Sequence, residues 1–185
     1  MTLRAARGWR SGFTLVEALI SISLAALAGS VLLVGINASV KVTDDGMNET
    51  IALGMAEQLL DEVLGNLWGG IATSPPRTNF DQIDDFANYQ STPPVDAWGV
   101  ALGKDNGQGG QRHAGFQATS GLLDRLQQQV LVYPVDPANP SVQLLAGTPS
   151  ECRGVEVRII YNDPRSGARE LVRLRRVIAH VTSLP

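Results

Sequence analysis

Apolar and polar positions follow three successive patterns along the chain. From Phe13 to Ile36 the side chains are apolar or small, and the only strongly polar one is Glu17. About 24 residues at 1.5 Å per residue give about 36 Å, enough to cross a hydrocarbon core of about 30 Å. Thr14, Ser21, Ser23 and Ser30 can return their hydroxyls to helix carbonyls. From Met47 onward a helical period replaces the continuous run. Met47, Ile51, Met55, Leu59, Val63 and Leu67 recur four apart, flanked by Ala52, Ala56, Leu60 and Leu64. Asp45, Asn48, Glu49, Glu57 and Asp61 take the other side, as in an amphipathic helix with one core-facing stripe. Gly65 and Gly69-Gly70 supply the stop. The simplest prediction is one helix from Phe13 to about Leu67, roughly 80 Å long.

Beyond residue 67 the period is lost. Pro75-Pro76, Pro93-Pro94 and the glycine-rich stretch 103–110 predict turns and loops to about residue 125. That stretch is no phosphate loop, because no strand leads into it and no Gly-Lys-Ser/Thr follows. The carboxyl-terminal part reads as sheet. Gln129–Tyr133 is a short strand stopped by Pro134. Val155, Val157, Ile159 and Tyr161 occupy one parity of a second, and 162–167 is a turn. Leu171–Val181 is a third. There Val172 and Leu174 fall on one parity, and Val177, Ala179 and Val181 on the other. A bulge near Arg175-Arg176 would bring both sets to one face. The fold class predicted is α+β: a long helix on a small antiparallel sheet.

Charge adds direction. The 185 residues carry a net charge of −3, which recommends no nucleic-acid surface. Arg4, Arg7 and Arg10 precede the apolar run, and Asp44, Asp45 and Glu49 follow it. That asymmetry sets the amino end in the cytoplasm. Arg158, Arg169, Arg173, Arg175 and Arg176 make the final hairpin basic, while the earlier half is acidic. The polarity suits either a contact between subunits or a solvated strand face.

Glu17 is the residue that needs a reason. A charged side chain inside a membrane span costs on the order of 2.5–3.5 kcal/mol at the helix centre. It either snorkels to the interface or finds a cation. Gly12-Phe13-Thr14-Leu15-Val16-Glu17, after a basic leader and before a long apolar run, resembles the prepilin motif of type IV pilins and type II secretion pseudopilins. Met55-Ala56-Glu57-Gln58-Leu59-Leu60-Asp61-Glu62 is similar to a segment of minor pilins and minor pseudopilins. Asp84-Asp85-Phe86-x-x-Tyr89 with Pro93-Pro94 is similar to loops of minor pilins of the mannose-sensitive haemagglutinin type.

The resemblance implies a pilin-like organisation. Residues 1–12 are a cytoplasmic leader, 13–36 the transmembrane helix, 37–67 its amphipathic continuation and 68–185 an extracytoplasmic domain. A prepilin peptidase cuts after Gly12 and N-methylates the new amine of Phe13. That amine, one turn from Glu17, is the missing cation, in the same chain or a neighbouring one. The implied function is a structural subunit of a type IV pilus or type II secretion pseudopilus in the bacterial inner membrane, its domain periplasmic. Its partners are the peptidase, other subunits, and an assembly platform driven by a separate cytoplasmic ATPase. Ser21, Ala25 and Gly29 lie four apart on one face, where small residues let helices approach closely in lipid. The same residues also fit ordinary membrane-helix composition.

Two other readings remain open. One is a signal anchor that carries an extracytoplasmic binding protein and never assembles. A secretory signal cut near Ala28 would release a periplasmic protein, since Ala26-Leu27-Ala28 has the small-x-small form. Enzymatic chemistry finds little footing. His113 and His180 have no ligand-like neighbour three or four residues away, and no nucleophile elbow is present. Cys152, the only cysteine, rules out an intrachain disulfide. Asp81, Asp84, Asp85 and Asp96 are the densest acids. They suit a solvated acidic loop or, as some pseudopilins imply, a calcium site; no other cofactor is expected.

Overall fold

The computed structural model describes residues 14–69, 75–104, 117–118, 121, 123–164 and 167–180. The fold is α+β. One helix, α1, runs Leu15–Leu64. Four strands follow: β1 (Tyr89–Ser91), β2 (Leu126–Pro134), β3 (Cys152–Asp163) and β4 (Gly167–Ala179). They form an antiparallel sheet in the order β1-β2-β3-β4. Two 3-10 turns, Arg77–Asn79 and Ile83–Phe86, precede β1. The chain divides into two compact units, Met1–Gly46 and Met47–Pro185.

In the first unit the helix is long and apolar enough to cross a membrane. Its most apolar 18-residue window has a mean hydropathy of 2.4, and none of it is buried. Of the four hydroxyls expected to return to helix carbonyls, Ser23 donates to Leu19 and Ser30 to Leu27, both at 2.8 Å, whereas that of Thr14 goes to Glu17.

In the second unit the expected stripe becomes the core. Ala52, Met55, Ala56, Leu59, Leu60 and Val63 are buried. They pack on Leu126, Val130, Val155, Val157 and Ile159 of β2 and β3, with Ile83 and Phe86 joining from the second 3-10 turn. The stripe stops sooner than its period predicts. Leu67 lies beyond the helix and is 70% exposed. Its backbone is used instead, its N–H donating to Asp81 and its carbonyl accepting from Ile83, both at 3.0 Å.

Three other expectations change. Residues 68–125 contain β1, whose pairing with β2 runs Tyr89↔Val130 to Ser91↔Gln128. Strand β2 starts three residues early, at Leu126, and includes Pro134 at its end. The irregularity in the hairpin is not at Arg175-Arg176. It falls opposite Ile159/Ile160, where the partner register skips Leu171. Leu171 and Val172, adjacent in sequence, both pack against the core, which strict alternation forbids and a bulge permits. Beyond it the alternation is unbroken: Val172, Leu174 and Ile178 pack inward while Val177 is 39% exposed.

Candidate functional site

At the start of α1, Glu17 closes a reciprocal cap. Thr14 and Glu17 have the Thr-x-x-Glu spacing of a capping box. The Thr14 backbone N–H and hydroxyl both donate to Glu17 Oε2, at 3.0 and 3.1 Å. The Glu17 N–H donates to Thr14 Oγ1 at 3.2 Å. The first turn then closes through Ala18 N–H to the Thr14 carbonyl at 3.1 Å. The pair therefore satisfies two amide groups at the head of the helix, one through each side chain, and the Glu17 charge sits at the favourable end of the macrodipole. The Thr-x-x-Glu spacing is itself the sequence signal for this cap. Oε1 takes no bond among the described residues, so the cap leaves one oxygen for another donor. Gly12 and Phe13 lie outside the described residues, as does the basic leader.

The four candidate acids do not converge. Asp85 is buried, and its Oδ2 accepts from the N–H groups of Gln82 at 3.0 Å and Asp81 at 3.3 Å, capping the second 3-10 turn. Asp84 pairs with Arg153 at 3.2 Å, both side chains being 15% exposed. Asp96 folds a local turn, its Oδ1 accepting from Trp98 N–H at 3.0 Å and Val100 N–H at 2.9 Å. Asp81 is exposed. Among the described residues no group of three or more His, Cys, Asp or Glu side chains is placed to hold a metal ion.

Two cationic centres tie the loops to the helix and sheet. Arg77 Nη2 meets both Glu62 oxygens at 2.6 and 2.7 Å. Its guanidinium lies 5.0–5.2 Å from the ring centres of Phe80, Phe86 and Tyr89. Burial raises the Tyr89 hydroxyl pKa, against the Coulombic pull of Arg77. At the other centre, Arg153 lies over Trp68 at 5.1 Å, and Trp68 stacks on His180 at 5.0 Å. His180 Nδ1 is 3.1 Å from Glu151. Cys152 begins β3, half-buried, its N–H held by Ser150 Oγ at 3.0 Å. These groups are occupied with each other and give no nucleophile–base pair. His113 lies outside the described residues.

One buried amide fixes the loop before β2. Gln128 is 3% exposed, and it accepts from Val95 N–H and donates to the Val95 carbonyl, each at 3.1 Å. Gln128, which the predicted strand Gln129–Tyr133 leaves out, is thereby the clamp that holds Val95 against the sheet. No family model, no curated protein and no solved structure matches the chain.

Proposed function

We propose that the chain is a minor pilin-like, or pseudopilin, structural subunit that joins a filament through its amino-terminal helix and performs no catalysis. The observation that carries this reading is the head of α1. A carboxylate is fixed by its own cap at the mouth of a bare apolar helix, one oxygen unused, one turn after the Gly12–Phe13 bond. Cleavage of that bond would create an amine on Phe13, and N-methylation would keep its charge. A prepilin peptidase would perform both steps. Membrane insertion would leave the amino end cytoplasmic and the domain periplasmic in a bacterial inner membrane. Assembly would draw on other subunits, a membrane platform and a separate cytoplasmic ATPase.

The cap supplies a test that separates its two roles. Glu17→Gln keeps a capping box, because Gln serves at that position as Glu does. It removes only the charge. Coexpression with prepilin peptidase should yield a product starting at Phe13 for both wild type and Glu17→Gln. Incorporation of the variant into filaments should fall roughly tenfold or more, since a charge-assisted hydrogen bond contributes about 1.5–3 kcal/mol. Thr14→Ala costs the helix start about 0.5–2 kcal/mol but leaves the charge, and incorporation should survive. Normal incorporation of Glu17→Gln refutes charge pairing. A product starting at Gly29 identifies a secretory signal, and an uncut chain identifies a signal anchor.

A further inference from the structure

Trp98 stands on a loop built to hold it still. Val95 and Ala101 bridge the base of the loop. Across it, Asp96 N–H donates to the Val100 carbonyl at 2.9 Å and Gly99 N–H to the Asp96 carbonyl at 3.0 Å. Gly99 takes a φ of +76°, which closes the turn without a Cβ penalty. The Asp96 carboxylate and the Gln128 clamp fix the rest. The indole on this frame is 76% exposed. An aromatic group carried on a fixed backbone has only its two side-chain torsions left to order when a partner buries it, and tryptophan is enriched among residues that dominate interfaces.

A groove of about 640 Å³ runs between α1 and β4. Leu60, Leu64 and Leu174 line its apolar part, with Glu57 and Asp61 on the helix side and Arg176 on the strand side. Glu57, Asp61 and Arg176 are exposed, and none of the three has an ion-pair partner among the described residues. The combination matches an indole. Its body suits the leucines, its face suits a guanidinium, and its N–H suits a carboxylate acceptor.

The loop and the groove lie on different flanks of the helix. Val95 and Asp96 sit beside Met55, Gln58 and Glu62, on the side of β1 and β2, whereas the groove is at β4, the opposite edge of the sheet. A chain cannot seat its own Trp98. We propose that Trp98 of one copy seats in the α1–β4 groove of a second copy. Such a contact joins two different surfaces, so it does not close on itself as a two-fold dimer does, and it can repeat along a line. The filament setting of this contact rests on the subunit reading above; the contact itself does not.

The test uses the full chain in membranes, coexpressed with prepilin peptidase, with photoreactive benzoylphenylalanine replacing Trp98. Illumination should give a covalent dimer of the chain, with the adduct mapped by mass spectrometry to 57–64 or 174–178. Glu57→Lys with Asp61→Lys in the same background should reduce the dimer at least about fivefold, the factor expected from losing about 1 kcal/mol of contact. Both positions are exposed, and circular dichroism should report an unchanged fold. No dimer adduct, an adduct elsewhere on the chain, or an adduct to a different protein alone overturns the proposal. Sequencing the amino terminus of the same sample keeps the two readings apart. A chain cut at Phe13 that gives no dimer sinks the contact and spares the subunit. An uncut chain that gives the mapped dimer does the reverse.

Discussion

The two halves of α1 use similar apolar residues for opposite ends. From Leu15 to Gly46 the helix leaves Leu, Val and Ile side chains bare, and a Cβ added at Gly29, Gly35 or Gly46 would meet nothing within 4 Å. From Met47 to Leu64 the same helix buries Ala52, Met55, Ala56, Leu59, Leu60 and Val63 under a sheet. Propensity cannot explain the difference, since both halves are helical. The pattern does. A continuous apolar surface, as from Leu15 to Ile36, gives a helix no inside of its own. A stripe with acids behind it defines an inside, and the chain then supplies its own cover.

The sharpest break between the halves should come from paired truncations. Phe86 is completely buried against the second half of the helix, with its ring in edge contact with Phe80 at 4.8 Å. Phe86→Ala should cost the folded unit about 3–5 kcal/mol through lost burial and the cavity left behind. Leu27 is 63% exposed. Leu27→Ala should leave the unfolding of that unit unchanged within about 0.5 kcal/mol. Thermal unfolding of the full chain in detergent, followed by near-ultraviolet circular dichroism, reads both. Equal losses would mean that the two halves are not energetically separate.

A smaller loss should follow from stripping the helix of its polar tether to the loops. Glu62 lies on the rim of the core stripe and is the carboxylate partner of Arg77, whose side chain is only 10% exposed. Glu62→Ala would leave a guanidinium among three rings without its counter-ion. The cost should be about 2–3 kcal/mol, below the ~3–5 kcal/mol of a fully buried pair because Glu62 keeps some solvent. Replacing both residues, Glu62→Leu with Arg77→Met, should recover most of that loss. Failure of the double variant to recover would show that the cation among the rings, rather than the pair, holds the loop.

How much of this was legible follows physical range. The helix stripe and the hairpin are local periodicities, and they could be read. Asp84 meeting Arg153 spans 69 positions, and Gln128 clamping Val95 spans 33. No local pattern encodes such pairs, so the acids at 81–96 read as one cluster, although Asp84 pairs across the fold, Asp85 and Asp96 fold their own local turns, and Asp81 is exposed. The bulge at Leu171 escapes the sequence pattern for a related reason. Parity alone asks for Val177 inside. Arg176 instead takes the inner parity beside Glu57 and Asp61, in the α1–β4 groove. The capping box at Thr14–Glu17 is the contrary case, a local signal fully present in four residues.

The weakest effect should arise on the sheet face turned away from the helix. Arg158, Arg173, Glu156 and Glu170 form a cluster there, with Arg173 Nη2 and Glu170 Oε2 2.9 Å apart. The hydrogen bond from Arg173 lowers the Glu170 pKa below its ordinary value of 4.5. A carboxyl depressed in the folded state adds stability above its unfolded pKa and loses it as pH falls through the folded one. Glu170→Gln should therefore cost less than about 1 kcal/mol at pH 7, because the pair is exposed and screened by solvent. The gap to wild type should close as the pH is lowered from about 5 toward 3. Raising salt at pH 7 should narrow it as well. A gap that held constant across both titrations would assign the loss to packing of the Glu170 stem along β4, and would remove charge from the account of that face.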